Sequence, residues 1–284
     1  MQANSQRYVD AVKLLLAAGA RVELSRADQP LSWDTVLAVG EARAWEHQAV
    51  AVYGERSSLV SRSSASHQER LATGLAMLAG FVDAYGIISY NTYLSFMSGN
   101  TTQTAYRTGE GDFAQAVPSA LAIMFFAGGS FVGALIANSG ASQPRRLAFG
   151  VVAASLALVI GLTQLGFWSD GVKIALATWA MGILNTTLSR VGSLQVNVTF
   201  VTGTLSRLGV QLALAVKGAA LRDSQGSWDT HMHRVRVLLG IWAAFLGGAL
   251  LSGAATPRFG AWVLLFPILI LSTLAASARI HVVD

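Results

Sequence analysis

Phe96-Met97-Ser98-Gly99-Asn100-Thr101-Thr102 is a glycine followed by small polar side chains, set between long apolar segments. An echo, Phe200-Val201-Thr202-Gly203-Thr204-Leu205-Ser206, follows 104 residues later. Before the first site lies the apolar run Leu71–Tyr90, and after it Phe113–Ala137 and Leu147–Phe167, the last with Trp168 at its end as an interface anchor. Around the second site lie Ile174–Leu194, interrupted by Asn185-Thr186-Thr187, then Val235–Leu251 and Ala261–Ala278. A helix needs about 20 apolar residues to span a bilayer. The reading is an all-α polytopic membrane protein with about six transmembrane helices.

Composition agrees. The 284 residues are 53% hydrophobic and 12% charged, against about 25% charged in soluble domains. Cys is absent, which excludes disulfides, thiolate metal ligands and a thiol nucleophile. No basic start leads into a cleavable apolar segment, so no signal peptide is expected.

Residues 1–66 have ordinary soluble charge density and read as a cytoplasmic extension that ends in a serine-rich linker, with Ser57, Ser58, Ser61, Ser63, Ser64 and Ser66. Val12–Ala20 resembles the end of an ankyrin repeat, but one fragment of a repeat buries no core of its own. Residues 67–170 and 171–284 read as two membrane repeats. Basic residues set the orientation. With a cytoplasmic N-terminus, Arg56, Arg62, Arg70, Arg145, Arg146, Arg190, Arg207, Lys217, Arg222, Arg234, Arg236 and Arg279 lie inside, and only Arg107, Lys173 and Arg258 outside. Six spans return the C-terminus to the cytoplasm. Leu205–Lys217 reads as a surface helix, a re-entrant half-helix or a further span. Ser193, Gln195, Asn197 and Thr199 alternate with apolar residues, which predicts an extended piece.

Two matches tie the halves together. Gly80-Phe81-Val82-Asp83-Ala84 aligns with Gly182-Ile183-Leu184-Asn185-Thr186, and Phe96-Met97-Ser98-Gly99-Asn100 with Phe200-Val201-Thr202-Gly203-Thr204. A weaker one sets Gly133-Ala134-Leu135 against Gly248-Ala249-Leu250. Three spans per half is an odd number, so the halves would enter the membrane from opposite sides as an inverted repeat, a common plan among secondary transporters.

On the Gly80–Ala84, Phe96–Thr102, Asn185 and Thr202–Thr204 pieces, residues 71–277 resemble the YoaK-like family of bacterial membrane proteins, a family of unknown function. The resemblance implies a multi-pass protein of the bacterial inner membrane. It implies no reaction and no substrate.

Asp83 is the one acid between Leu71 and Gly109. A charge in a bilayer must face protein or water, so Asp83 reads either as a coupling residue or as a structural hydrogen-bond acceptor. Asn185 takes the matching place without the charge. Ser98, Gly99, Asn100, Thr101 and Thr102, with Thr202, Gly203, Thr204 and Arg207, are the other candidates for a substrate or ion site, because Asn and Thr cap helix starts whose free N–H groups attract anions. Arg190 and Arg207 are candidate partners of Asp83. Gly129, Gly133, Gly247 and Gly248 have the small-residue spacing of close helix packing. Pro267 is expected to kink the last span.

No metalloprotease, phosphate-loop or nucleophile-elbow motif is present, so no catalytic residue, cofactor or metal is assigned. The expected partners are the lipid bilayer and a small solute or proton, with homo-oligomers allowed and no nucleic acid. The dispersed inner basic residues read as topology signals and anionic-lipid contacts. The function expected is a secondary transporter or permease; the alternative is a structural or membrane-organising protein without transport.

Overall fold

The computed structural model describes residues 62, 65–166, 168–186, 190–191, 194–195, 201–221, 223–224 and 226–277. By its contacts the chain divides into Met1–Ser57 and Ser58–Asp284. The ankyrin-like phrase and the serine-rich linker lie outside the described residues, except Arg62, Ala65 and Ser66 at the linker's end.

Among its described residues the second unit is helical apart from one short strand pair. Helix α1 is Ala65–Tyr90, α2 Met97–Gly109, α3 Phe113–Ala137, α4 Pro144–Leu165 and α5 Asp170–Thr186. After them come α6, Val201–Val216, α7, His231–Phe259, a 3-10 turn Gly260–Leu264 and α8, Leu265–Ser277. Among the described residues, four helical stretches are long and apolar enough to cross a membrane: α1, α3, α4 and the joined His231–Ala276. The last is 46 residues long but is broken at Gly260, whose φ of 53° takes it out of the right-handed region.

The long helices start where the local chemistry favours it. Asp112 accepts from the Gln115 amide to cap α3, and Thr230 accepts from His233 to cap α7. Pro144 opens α4 at a position where its missing N–H costs nothing. Helix α1 ends because Asn91 adopts a φ of 51°, a conformation Asn tolerates better than most residues, and its amide closes onto the Ile87 carbonyl at 3.0 Å.

Three expectations need correction. The fourth apolar run is helical only to Thr186, and Arg190–Val191 (β1) pairs antiparallel with Leu194–Gln195 (β2). Asn185 and Thr186 favour turns over helix interior, and β1 and β2 are extended, as the alternating pattern predicts for Leu194 and Gln195. Helix α6 begins at Val201, so Thr202–Arg207 lie inside its first turns rather than before it. Pro267 is the third residue of α8, in the first turn, where no intrahelical bond is lost.

The core is built by α1, α4, α5, α7 and α8. Leu75, Leu78, Tyr85, Leu156, Met181, Ile183, Leu264 and Leu271 are almost wholly buried. The outer faces of α3, α7 and α8 expose Met124, Phe131, Leu135, Leu250 and Leu269, as a surface solvated by acyl chains requires.

Two crossings are made through glycine. A Cβ on Gly80 of α1 would strike the Phe245 carbonyl of α7, and one on Gly248 of α7 would strike the Met77 carbonyl of α1. Likewise a Cβ on Gly129 of α3 would strike the Trp179 carbonyl of α5, and one on Gly182 of α5 the Phe126 carbonyl of α3. Gly133 lies against Ile183 and Thr186, whereas Gly247 has nothing within 4 Å of its added Cβ.

Candidate functional site

The sequence between α1 and α2 is too polar and too rich in turn formers to continue either helix, so its backbone groups need partners from elsewhere. Asp83 supplies one side. Its Oδ1 accepts from the amides of Leu94 at 2.9 Å and Ser95 at 2.6 Å, and its Oδ2 from the Ser95 hydroxyl at 2.7 Å. Asp83 is buried, and these three donors replace the water a carboxylate would otherwise need. No arginine among the described residues pairs with it; Arg207 is exposed on α6.

Asn100 supplies the other side. Its Oδ1 accepts from the Tyr93 amide at 3.1 Å while its Nδ2 donates to the Tyr93 carbonyl at 2.7 Å, so the side chain pairs with the backbone as a neighbouring strand would. Gln103 Nε2 also donates to the Asn91 carbonyl at 3.0 Å. Asp83, Asn100 and Gln103 thus clamp residues 91–95 from α1 and α2. Glycine makes room for the same loop: a Cβ on Gly86 would collide with Leu94 and the Thr92 carbonyl, and one on Gly99 with the Phe96 ring.

The other candidates are spread along two helices. Helix α2 starts at Met97 with Phe96 as N-cap and no side-chain cap bond. The Thr101 and Thr102 hydroxyls bond back to the Met97 and Ser98 carbonyls at 2.8 and 3.1 Å instead of capping. Ser98, Thr101 and Thr102 are exposed. Ser98, Gly99 and Thr102 line a groove of about 420 Å³ with Tyr93, Phe96, Gln103 and Tyr106. In the second half Asn185 is half-buried at the end of α5, Thr202 exposed, Gly203 half-buried and Thr204 buried in the first turns of α6.

Sequence reasoning passed over three features. Ser95 is one, although it sits in the quoted stretch's shadow. Another is the pair of Glu69 and His233, 2.8 Å apart, which joins the starts of α1 and α7. The third is Arg234, whose guanidinium takes both oxygens of Asp229 at 2.9 and 2.8 Å and reaches Asp223 at 3.0 Å. The signal for it was an arginine two residues before another at the start of an apolar helix, with acids in the preceding loop. Nearby His231 bonds Gln211 at 2.7 Å and the Ala219 carbonyl at 3.1 Å, and so ties α6 to the loop before α7.

Long apolar helices with acyl-chain-facing outer surfaces, glycine crossings and a polar loop clamped between helices define a multi-pass helical membrane protein. A family profile described as "Protein of unknown function (DUF1275)" matches residues 71–277, and the chain belongs to that family. The stretch is the one over which the sequence resembles YoaK-like proteins, a label that neither match carries. The chain is also 28% identical over 225 residues to a UPF0700 transmembrane protein of Rhizobium meliloti (strain 1021), covering 78% of this chain and 91% of that relative. No solved structure matches the chain significantly.

Proposed function

We propose that the protein is a secondary transporter or permease for a small solute, built from two three-span halves of opposite orientation. The spans are α1, α3 and α4 in the first half and α5, α7 and α8 in the second. The carrying observation is the reciprocity of the glycine crossings. Adding 102 to Met77 and Gly80 gives Trp179 and Gly182; adding 119 to Phe126 and Gly129 gives Phe245 and Gly248. The first helix of each half therefore crosses the second helix of the other, which is the exchange a two-fold axis performs. The shift of 102 is also the one that aligns Asp83 with Asn185. Each half has a shorter helix after its first, α2 or α6; residues 91–96 lead into α2, and the strands β1 and β2 lie between α5 and α6 among the described residues. Discontinuous helices of this kind supply binding sites in many transporters. The solute site is placed where Asp83, Asn185 and the Gly99 and Gly203 segments of the two halves approach the pseudo-axis. The basic residues support both termini in the cytoplasm, and the resemblance to bacterial membrane proteins supports an inner-membrane location.

One observation favours the structural alternative: Asp83 is engaged by three donors of its own loop. A membrane-organising protein would need no more than that. The test is uptake by purified protein in proteoliposomes, screened over ions, amino acids, sugars and organic acids against empty vesicles at two pH values. Transport predicts uptake of one class above empty vesicles, with altered pH dependence in Asp83→Asn after normalising to folded protein. No class above background rejects the transporter and leaves the structural reading. Uptake with unchanged pH dependence in the variant keeps transport and removes Asp83 as its coupling residue.

A further inference from the structure

Helices α4 and α8 meet along a trough rather than a sealed seam. Its walls are Gly150, Ala153, Ala154 and Ala157 from α4 and Ile268, Ser272 and Ala275 from α8, and its volume is about 420 Å³. Small side chains on both walls leave an apolar channel open to the surface. From Arg146 at one end to Ala157 the α4 wall rises by eleven residue steps, about 16 Å at the helical rise. In a bilayer such a trough is filled by an acyl chain, because an empty one forfeits dispersion contacts along its whole length.

Its charged end is distinctive. Arg146 lines the trough at the first turn of α4, beside Arg145 and next to the helix's free N–H groups. The Gln143 side chain makes no cap bond to those groups. The guanidinium donates to Gln143 Oε1 at 3.3 Å and has no carboxylate within ion-pair distance among the described residues. The loop 138–144 that leads into α4 carries no acid. Two cationic groups, a positive helix end and an acyl-width trough running away from them match one occupant in charge and shape: a phospholipid with a net negative headgroup.

We propose that the α4–α8 trough is a binding site for an anionic phospholipid, with its phosphate at Arg146 and the start of α4 and one acyl chain along Gly150–Ala157. The site is independent of whether the protein transports a solute.

The test uses the full chain purified in a mild detergent, with native mass spectrometry and thermal unfolding after adding phosphatidylglycerol, phosphatidylcholine of the same acyl chains, or soluble glycerol phosphate. The variants are Arg146→Gln, which removes the headgroup charge, and Gly150→Leu, which fills the trough. Gly150 has nothing within 4 Å of an added Cβ, so the leucine starts from open space, and the lipid-free unfolding temperature of the variant checks that the fold is kept. The expected result is a phosphatidylglycerol adduct on the wild type at least tenfold more abundant than the phosphatidylcholine one. A rise in unfolding temperature with phosphatidylglycerol alone should accompany it, and glycerol phosphate should do nothing. Arg146→Gln should lose the headgroup preference, and Gly150→Leu should lose the adduct altogether. Equal adducts of the two lipids on the wild type, an effect of glycerol phosphate equal to that of the lipid, or retention of the selective adduct in Gly150→Leu would each overturn the proposal.

Discussion

Ser95 reaches Asp83 twice, with its amide 2.6 Å from Oδ1 and its hydroxyl 2.7 Å from Oδ2. One short residue therefore satisfies an oxygen on each side of a buried carboxylate, and the Leu94 amide adds a third bond. The substitutions at Asp83 should accordingly separate. Asn can keep its carbonyl toward the two amides and turn its NH2 to a Ser95 hydroxyl that now accepts. Leu leaves three buried donors without partners, at about 1–3 kcal/mol each. Asp83→Leu should lower stability in detergent by several kcal/mol, or prevent folding. Asp83→Asn should stay within about 2 kcal/mol of wild type. Unfolding curves of the two variants check this, and equal stability would mean that Asp83 does not hold the loop.

The glycine crossings make a sharper mechanical prediction. Gly80→Ala and Gly182→Ala each drive a methyl into a carbonyl of the facing helix. Backbone cannot step aside as a side chain can, so each should cost about 1–3 kcal/mol or more. Gly247→Ala is the control: its Cβ meets nothing within 4 Å, and Ala is the better helix former by about 1 kcal/mol. A scan in which all three behave alike would remove the close crossings.

At the start of α7, two acids that both bind Arg234 should differ in weight. The Asp229 side chain is 5% exposed, as is that of Arg234, while the Asp223 side chain is 60% exposed. Asp229→Ala removes the buried carboxylate from a buried guanidinium and leaves the largely exposed Asp223 as its remaining acid, and breaking such a buried pair costs about 3–5 kcal/mol. Asp223→Ala breaks a pair that water already screens and should cost under about 1 kcal/mol. Thermal unfolding of the two single variants is sufficient, and the reverse order would contradict the burial of Asp229.

Orientation is open to reporter fusions. A reporter after Asp284 or at Gln143 should behave as cytoplasmic, and one at Gly109 as external. The opposite pattern at Gly109 and Gln143 would overturn the positive-inside argument.

Much of the helical layout can be read along the chain because lipid imposes it. Apolar runs near Leu71–Tyr90, Phe113–Ala137 and Leu147–Phe167 became α1, α3 and α4, since a backbone in hydrocarbon must satisfy its own hydrogen bonds. The two glycine-polar stretches fall in the first turns of α2 and α6. Asp83 and Asn100 stand out in the sequence for a reason the fold then uses: buried polar groups require partners.

Which partners they take was decided only in three dimensions. Asp83 bonds Ser95 and Leu94 rather than an arginine because Asn91 turns the chain at the end of α1 and brings that loop back onto the helix. Glu69 meets His233 across 164 residues only because α1 and α7 cross at Gly80 and Gly248. Hydropathy reports that a helix is apolar, but lipid satisfies an apolar face as well as protein does, so it carries little information on which face meets which neighbour. That choice falls to a few close backbone approaches and buried hydrogen bonds. Both depend on where distant segments lie, and here they decided the α1–α7 and α3–α5 crossings and the clamp on residues 91–95.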